Sequence, residues 1–149
     1  MANILTIETA TTACSVSIGI DGELVAHKEI LIPKSHSSKI NLLITQVITD
    51  AGITLSDLDA VSVSKGPGSY TGLRIGVSTA KGLCFALGVP LLAIGTLHSL
   101  ALQAAEFLHK TNSLFLEENE ELLYCSMIDA RRMEVYAAIY NKHFEEVRG

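Results

Sequence analysis

"SKGPGSYTGLRIGVSTAKGL", residues 64–83, sets Gly66, Gly68, Gly72, Gly76 and Gly82 across a loop and the helix that follows it. Two readings are open. In the first, Gly66 and Gly68 let backbone N–H groups converge, Ser69 and Thr71 add hydroxyls, and the helix N-terminus contributes partial positive charge, which together make a cradle for phosphate. The full G-x-x-x-x-G-K-[ST] pattern is not there, however, because Lys65 precedes the loop and Lys81 falls deep in the helix. In the second, Gly72, Gly76, Ala80, Cys84 and Gly88 recur every fourth residue and give one helix face a stripe of small side chains that another helix can approach closely. That neighbour is either the preceding helix of the same lobe or a second chain. An interior helical glycine costs about 1 kcal/mol against alanine, so Gly76 and Gly82 need contacts or a function to offset them.

On the N-terminal side, "ILTIE" (4–8) and "CSVSIGI" (14–20) alternate apolar and polar residues and predict two strands. Asp21-Gly22 before "ELVAHKEI" is a two-residue hairpin signal, since both turn positions take positive φ. An antiparallel three-stranded start follows. A helix over Lys39–Ala51, capped by Ser37 or Ser38, puts Ile40, Leu43, Ile44, Val47, Ile48 and Ala51 on one face and stops at Gly52. "AVSVS" (60–64) is a strand feeding the glycine stretch, and the second helix runs from Leu73 to Leu87. "PLLAIG" is a further strand, and Thr96 caps a third helix. Residues 1–109 form a first lobe, 110–121 an acidic linker, and 122–149 the start of an incomplete second lobe. "LLYCSMI" and "VYAAIY" flank the charged turn "DARRME" as a hairpin. No helix follows it to cover it, so it is expected to pack on the first lobe, another chain or residues beyond Gly149.

Composition narrows the function. The 149 residues are 48% hydrophobic and 18% charged, and a charge content below the roughly 25% of soluble domains points to apolar surface that a partner covers. A net charge of −5 and 5% aromatic residues without tryptophan disfavour independent nucleic-acid binding, which draws on basic patches and stacking platforms. Cys14, Cys84 and Cys125 have neither disulfide nor zinc spacing. With no secretory leader and no membrane-length apolar run, a cytoplasmic location is expected.

"NILTIETATTACSVSI", "VSVSKGPGSYTGLRIGVSTAKGLCFALGVPLLAIGTL" and "IDARRMEVYAAIY" resemble the TsaB family, also called YeaZ, of the ASKHA (actin-like ATPase) superfamily. The resemblance spans nearly the whole chain, and the G-P-G-S-Y-T-G-L-R-I-G-V block carries most of its specificity. It implies an α/β fold: a ribonuclease-H-like lobe with a mixed sheet flanked by helices, followed by the opening hairpin of a second such lobe. It also implies a non-catalytic subunit that supports a TsaD-type catalytic paralogue in making N6-threonylcarbamoyladenosine in tRNA, touching tRNA only indirectly. A TsaE-type ATPase is a possible third member.

The family's catalytic paralogue holds a metal through H-x-x-x-H on its first helix. Here His36 is followed by Ile40 at that spacing, and one imidazole cannot hold a catalytic metal without other ligands. His36 reads as a polar residue at a helix start, and no metal or other cofactor is expected in the chain. Superfamily ATPases carry Asp-x-Gly-Thr after their first strand, where this chain has Glu8-Thr9-Ala10-Thr11; Ala10 adds a Cβ where backbone should approach phosphate.

The leading expectation is therefore a scaffold whose first two helices pair with the same helices of the paralogue through Lys39, Leu43, Val47, Gly72, Arg74, Gly76, Thr79, Ala80 and Leu83. The chain would pair with itself as a homodimer when the paralogue is absent. The alternative is a nucleotide-binding phosphotransferase or ATPase using Glu8, Thr11, Gly66, Gly68 and Ser69. A glycoprotease-like metallopeptidase is a weaker third, since it requires a metal site the sequence does not supply.

Overall fold

The computed structural model describes residues 2–31, 36–111 and 122–149, with His36 described in its backbone alone. The chain divides into two compact units, residues 1–94 and 95–149.

The first unit opens on β1 (Asn3–Glu8), β2 (Cys14–Ile20) and β3 (Glu23–Ile30). These pair antiparallel in succession, with Leu5 opposite Ile18 and Ile7 opposite Val16. Asp21 and Gly22 make the turn with φ of 52° and 87°, the positive pair that a tight hairpin matched to right-handed strand twist requires. Helix α1 (His36–Ala51) crosses to β4 (Ala60–Gly66), which pairs parallel with β1. Helix α2 (Tyr70–Leu87) then leads to β5 (Leu91–Gly95), and the finished sheet has the order β3-β2-β1-β4-β5. This is the expected mixed sheet flanked by helices.

Strand alternation sends Leu5, Ile7, Val16, Ile18, Val61 and Val63 into one core with Ile40, Leu43, Ile44 and Val47 of α1 and Ala80 of α2. Cys14 lies in the same core, and burial pushes its thiol pKa up, so it behaves as a small hydrophobe.

The second unit differs from the sequence expectation. Helix α3 (Thr96–Thr111), assigned to the first lobe from the sequence, packs on β6 (Tyr124–Arg131) and β7 (Glu134–Tyr140). The cause is local. Leu97, Leu100 and Ala101 fall on one face of α3 and meet Ala138, Tyr140, Tyr124 and Ile128, while His98 lies edge-on to Tyr140 at 5.4 Å. The hairpin thus has a helical cover from its own chain. A short β8 (Glu146–Arg148), which the sequence reading missed, extends the sheet in the order β6-β7-β8. The expected linker 110–121 begins inside α3, and from residue 112 it lies outside the described residues. Among the described residues, no helix is long and apolar enough to cross a membrane.

Candidate functional site

The glycine loop leaves β4 through a cis Gly66–Pro67 bond and enters α2 at Ser69, whose hydroxyl accepts the Gly72 N–H at 3.3 Å. Its other groups are turned onto the chain itself. The Ser69 N–H donates to the Ala10 carbonyl at 2.6 Å. Glu8 accepts the Ala10 N–H at 2.6 Å on one oxygen and the Ser64 hydroxyl on the other. The structure therefore brings Glu8, Gly68 and Ser69 together, but as a latch between the β1–β2 turn and the start of α2. Thr11 is exposed and caps its own turn by accepting the Ala13 N–H. Two features that a phosphate cradle would draw on are thus occupied by the chain: the Ser69 amide is already used, and Ala10 lies against Gly68 where a Cβ would point.

The same packing shows what the first glycines of the small stripe meet. A Cβ on Gly68 would overlap the Ala10 carbonyl, one on Gly72 the Thr9 carbonyl, and one on Gly76 the Thr9 side chain. Thr9 is fully buried there. Of the residues expected at a partner interface, Gly72, Gly76 and Ala80 are thus buried in their own unit, as are Leu43 and Val47. That part of the expectation is corrected, because helical spacing defines a face without saying what lies against it. Lys39 and Arg74 are exposed, and Thr79 and Leu83 half-buried. Lys39 sits on the flank of α1 away from α2 at 100° per residue.

Ile40, at the spacing of a second metal-binding histidine, is 2% exposed in the core. A metal held as in the catalytic paralogue does not fit these residues. Among the described residues, no three His, Cys, Asp or Glu side chains gather at one point.

What remains open lies on the other side of the two helices. A cleft of about 390 Å³ runs between α1 and α2, lined by Ile40, Asn41, Thr71, Arg74, Ser78 and Thr79 among others. Tyr70, 74% exposed, and Phe85, 93% exposed, also project from α2, outside the residues that line the cleft. The Arg74 guanidinium lies over the Tyr70 ring at 5.5 Å. Leu42 is half uncovered on α1. The sequence reading passed over Tyr70 and Phe85, although a helical projection puts Phe85 opposite Gly72, Gly76 and Ala80 and so away from the core.

Gly82 separates the two roles a helical glycine can have. A Cβ there would touch nothing within 4 Å, so Gly82→Ala is expected to raise the unfolding free energy by about 0.5–1 kcal/mol in urea titration.

Comparison with known proteins agrees with this fold. The family model that matches, over residues 30–148, is TsaD, tRNA N6-adenosine threonylcarbamoyltransferase. The chain is 37% identical over 139 residues to the Escherichia coli tRNA threonylcarbamoyladenosine biosynthesis protein TsaB, covering 93% of this chain and 55% of that protein. It superposes on YeaZ from Pseudomonas aeruginosa with a TM-score of 0.79 and 30% identity, covering 100% of this chain and 65% of that one. The chain thus spans about half the length of the curated relatives it matches. A hexokinase of the ROK type from Thermus thermophilus, 16% identical at a TM-score of 0.55, shares the fold over 99% of this chain and 49% of its own.

Proposed function

The chain belongs to the TsaD family, tRNA N6-adenosine threonylcarbamoyltransferase, and on that premise we propose that it acts as TsaB-type proteins do, in threonylcarbamoyladenosine biosynthesis on tRNA. Its part is that of an accessory subunit without catalytic chemistry of its own. It holds a TsaD-type paralogue against the outward faces of α1 and α2, and it requires no cofactor. A TsaE-type ATPase is a candidate third member, and tRNA is reached through the paralogue.

One observation carries the choice of surface: Phe85, an aromatic ring on α2, is 93% exposed and left uncovered among the described residues. Large uncovered aromatic side chains on a rigid helix are the residues that anchor interfaces. The glycine loop supports the same reading from the other direction, since its Ser69 N–H is spent on the Ala10 carbonyl.

The test is the threonylcarbamoyladenosine content of tRNA, measured by mass spectrometry of nucleosides, in cells depleted of their own TsaB and supplied with this chain. Restored modification with the wild-type chain and its loss with Phe85→Ala supports the role. Full restoration by Phe85→Ala contradicts the surface, and failure of the wild-type chain contradicts the role.

A further inference from the structure

The charges on α1 and α2 are distributed unlike those of the rest of the molecule. The whole chain carries −5, yet α2 has no acidic residue at all, and α1 has only Asp50 in its last turn. Asp50 is already paired with Lys28 of β3 at 2.7 Å. Against this, Arg74, which lines the cleft, and Lys81, one turn before Phe85, are exposed on α2. The part of α1 that borders the cleft, Ile40 and Asn41 with Thr45 beyond them, is neutral. The two helices therefore present a hydroxyl-lined cleft with two positive charges on α2, and among the described residues no ion pair with a carboxylate is formed by either charge. Arg74 is held in place by the Tyr70 ring beneath it, which reduces the cost of ordering it on binding.

We infer that the α1/α2 surface is built for a partner helix carrying carboxylates opposite Arg74 and Lys81, and that this charge arrangement selects a different polypeptide over a second copy of the chain. The inference rests on the partner-binding reading above and adds the partner's chemistry to it. A two-fold self-pairing brings a patch against its own copy. Arg74 and Lys81 of one copy then share a small interface with Arg74 and Lys81 of the other, and like charges placed together oppose association. An acidic helix meets the same two cations with attraction. Salt screens both terms, with a Debye length falling from about 10 Å at 0.1 M to about 3 Å at 1 M. Added salt must therefore weaken the mixed complex and strengthen self-association, a pair of opposite signs that apolar packing alone does not give.

The experiment is a titration of the chain with the purified TsaD-type paralogue from the same genome, and of the chain with itself, by sedimentation velocity at several salt concentrations. Between about 0.05 M and about 0.5 M salt, the mixed complex is expected to weaken about tenfold while self-association tightens. Arg74→Glu with Lys81→Glu is expected to weaken the mixed complex at low salt by tenfold or more and to reverse its salt dependence. Arg74→Gln with Lys81→Gln is expected to flatten it. Both pairs sit on exposed positions, and circular dichroism checks that the fold is kept. A mixed complex that is lost with Phe85→Ala but indifferent to salt and to charge reversal overturns the acidic partner and leaves the surface standing. Self-association favoured by low salt overturns the inference as well. The absence of a mixed complex at every salt concentration overturns the partner reading and the inference together.

Discussion

Gly72→Ala is expected to destabilise the first unit by about 3 kcal/mol, the upper part of the usual range for overpacking a close-packed interior. A single methyl is enough, because it would overlap the Thr9 carbonyl oxygen, and that carbonyl belongs to a turn with no room to retreat. Thr9 is fully buried, Ala10 is buried beside it, and the turn is tied to β4 and α2 through Glu8, Ser64 and Ser69. Gly76→Leu is expected to fail in the same way, since its side chain would be driven into Thr9. Denaturant titration followed by far-ultraviolet circular dichroism measures both. Unfolding curves for Gly72→Ala and Gly76→Leu that coincide with the wild type would show that α2 can lift off the β1–β2 turn, and the packing described here would be wrong. Gly82→Ala, on the same helix and in open space, is the control that separates loss of a close approach from helix propensity.

Phe85→Ala is the counterpart on the outward face: expected to leave stability almost unchanged and to weaken association with the TsaD-type paralogue about thirtyfold, the equivalent of about 2 kcal/mol. The ring is 93% exposed, so truncating it removes little buried area from the free chain, and any large effect comes from the complex. Calorimetric titration of the paralogue with each variant, alongside a thermal melt, gives the two quantities independently. An unchanged affinity with an unchanged melt would remove Phe85 from the interface.

Local signals carried much of the fold. Asp21-Gly22 marks its hairpin because few residue pairs accept two positive φ values, and alternation in "ILTIE" and "CSVSIGI" specifies which side chains enter the core. The helix spacing of Ile40, Leu43, Ile44 and Val47 gives the buried face of α1, and that same periodicity argues against Leu43 and Val47 as partner contacts. What could not be read is which distant segment meets a given face. Gly72 and Gly76 of the small stripe lie on Thr9, in a polar turn some sixty residues earlier that has no pattern of its own. Helix α3 presents an apolar face that either unit could use, and the choice of β6 and β7 is made by the fit of Leu97 and Ala101 against Ala138 and Tyr140. The candidate site divides along the same line. Glycine spacing pointed to the right helix, while the exposed side of that helix, with Tyr70 and Phe85, emerges only once the buried side is known.

Site-specific photo-crosslinking tests whether the outward side of α2 holds a TsaD-type paralogue. A photoreactive amino acid is placed at Phe85 in one variant and at Leu24, 67% exposed on β3, in another, and each is irradiated with the purified paralogue. A covalent adduct is expected from position 85 and none from position 24. An adduct from position 24 with none from position 85 would contradict it.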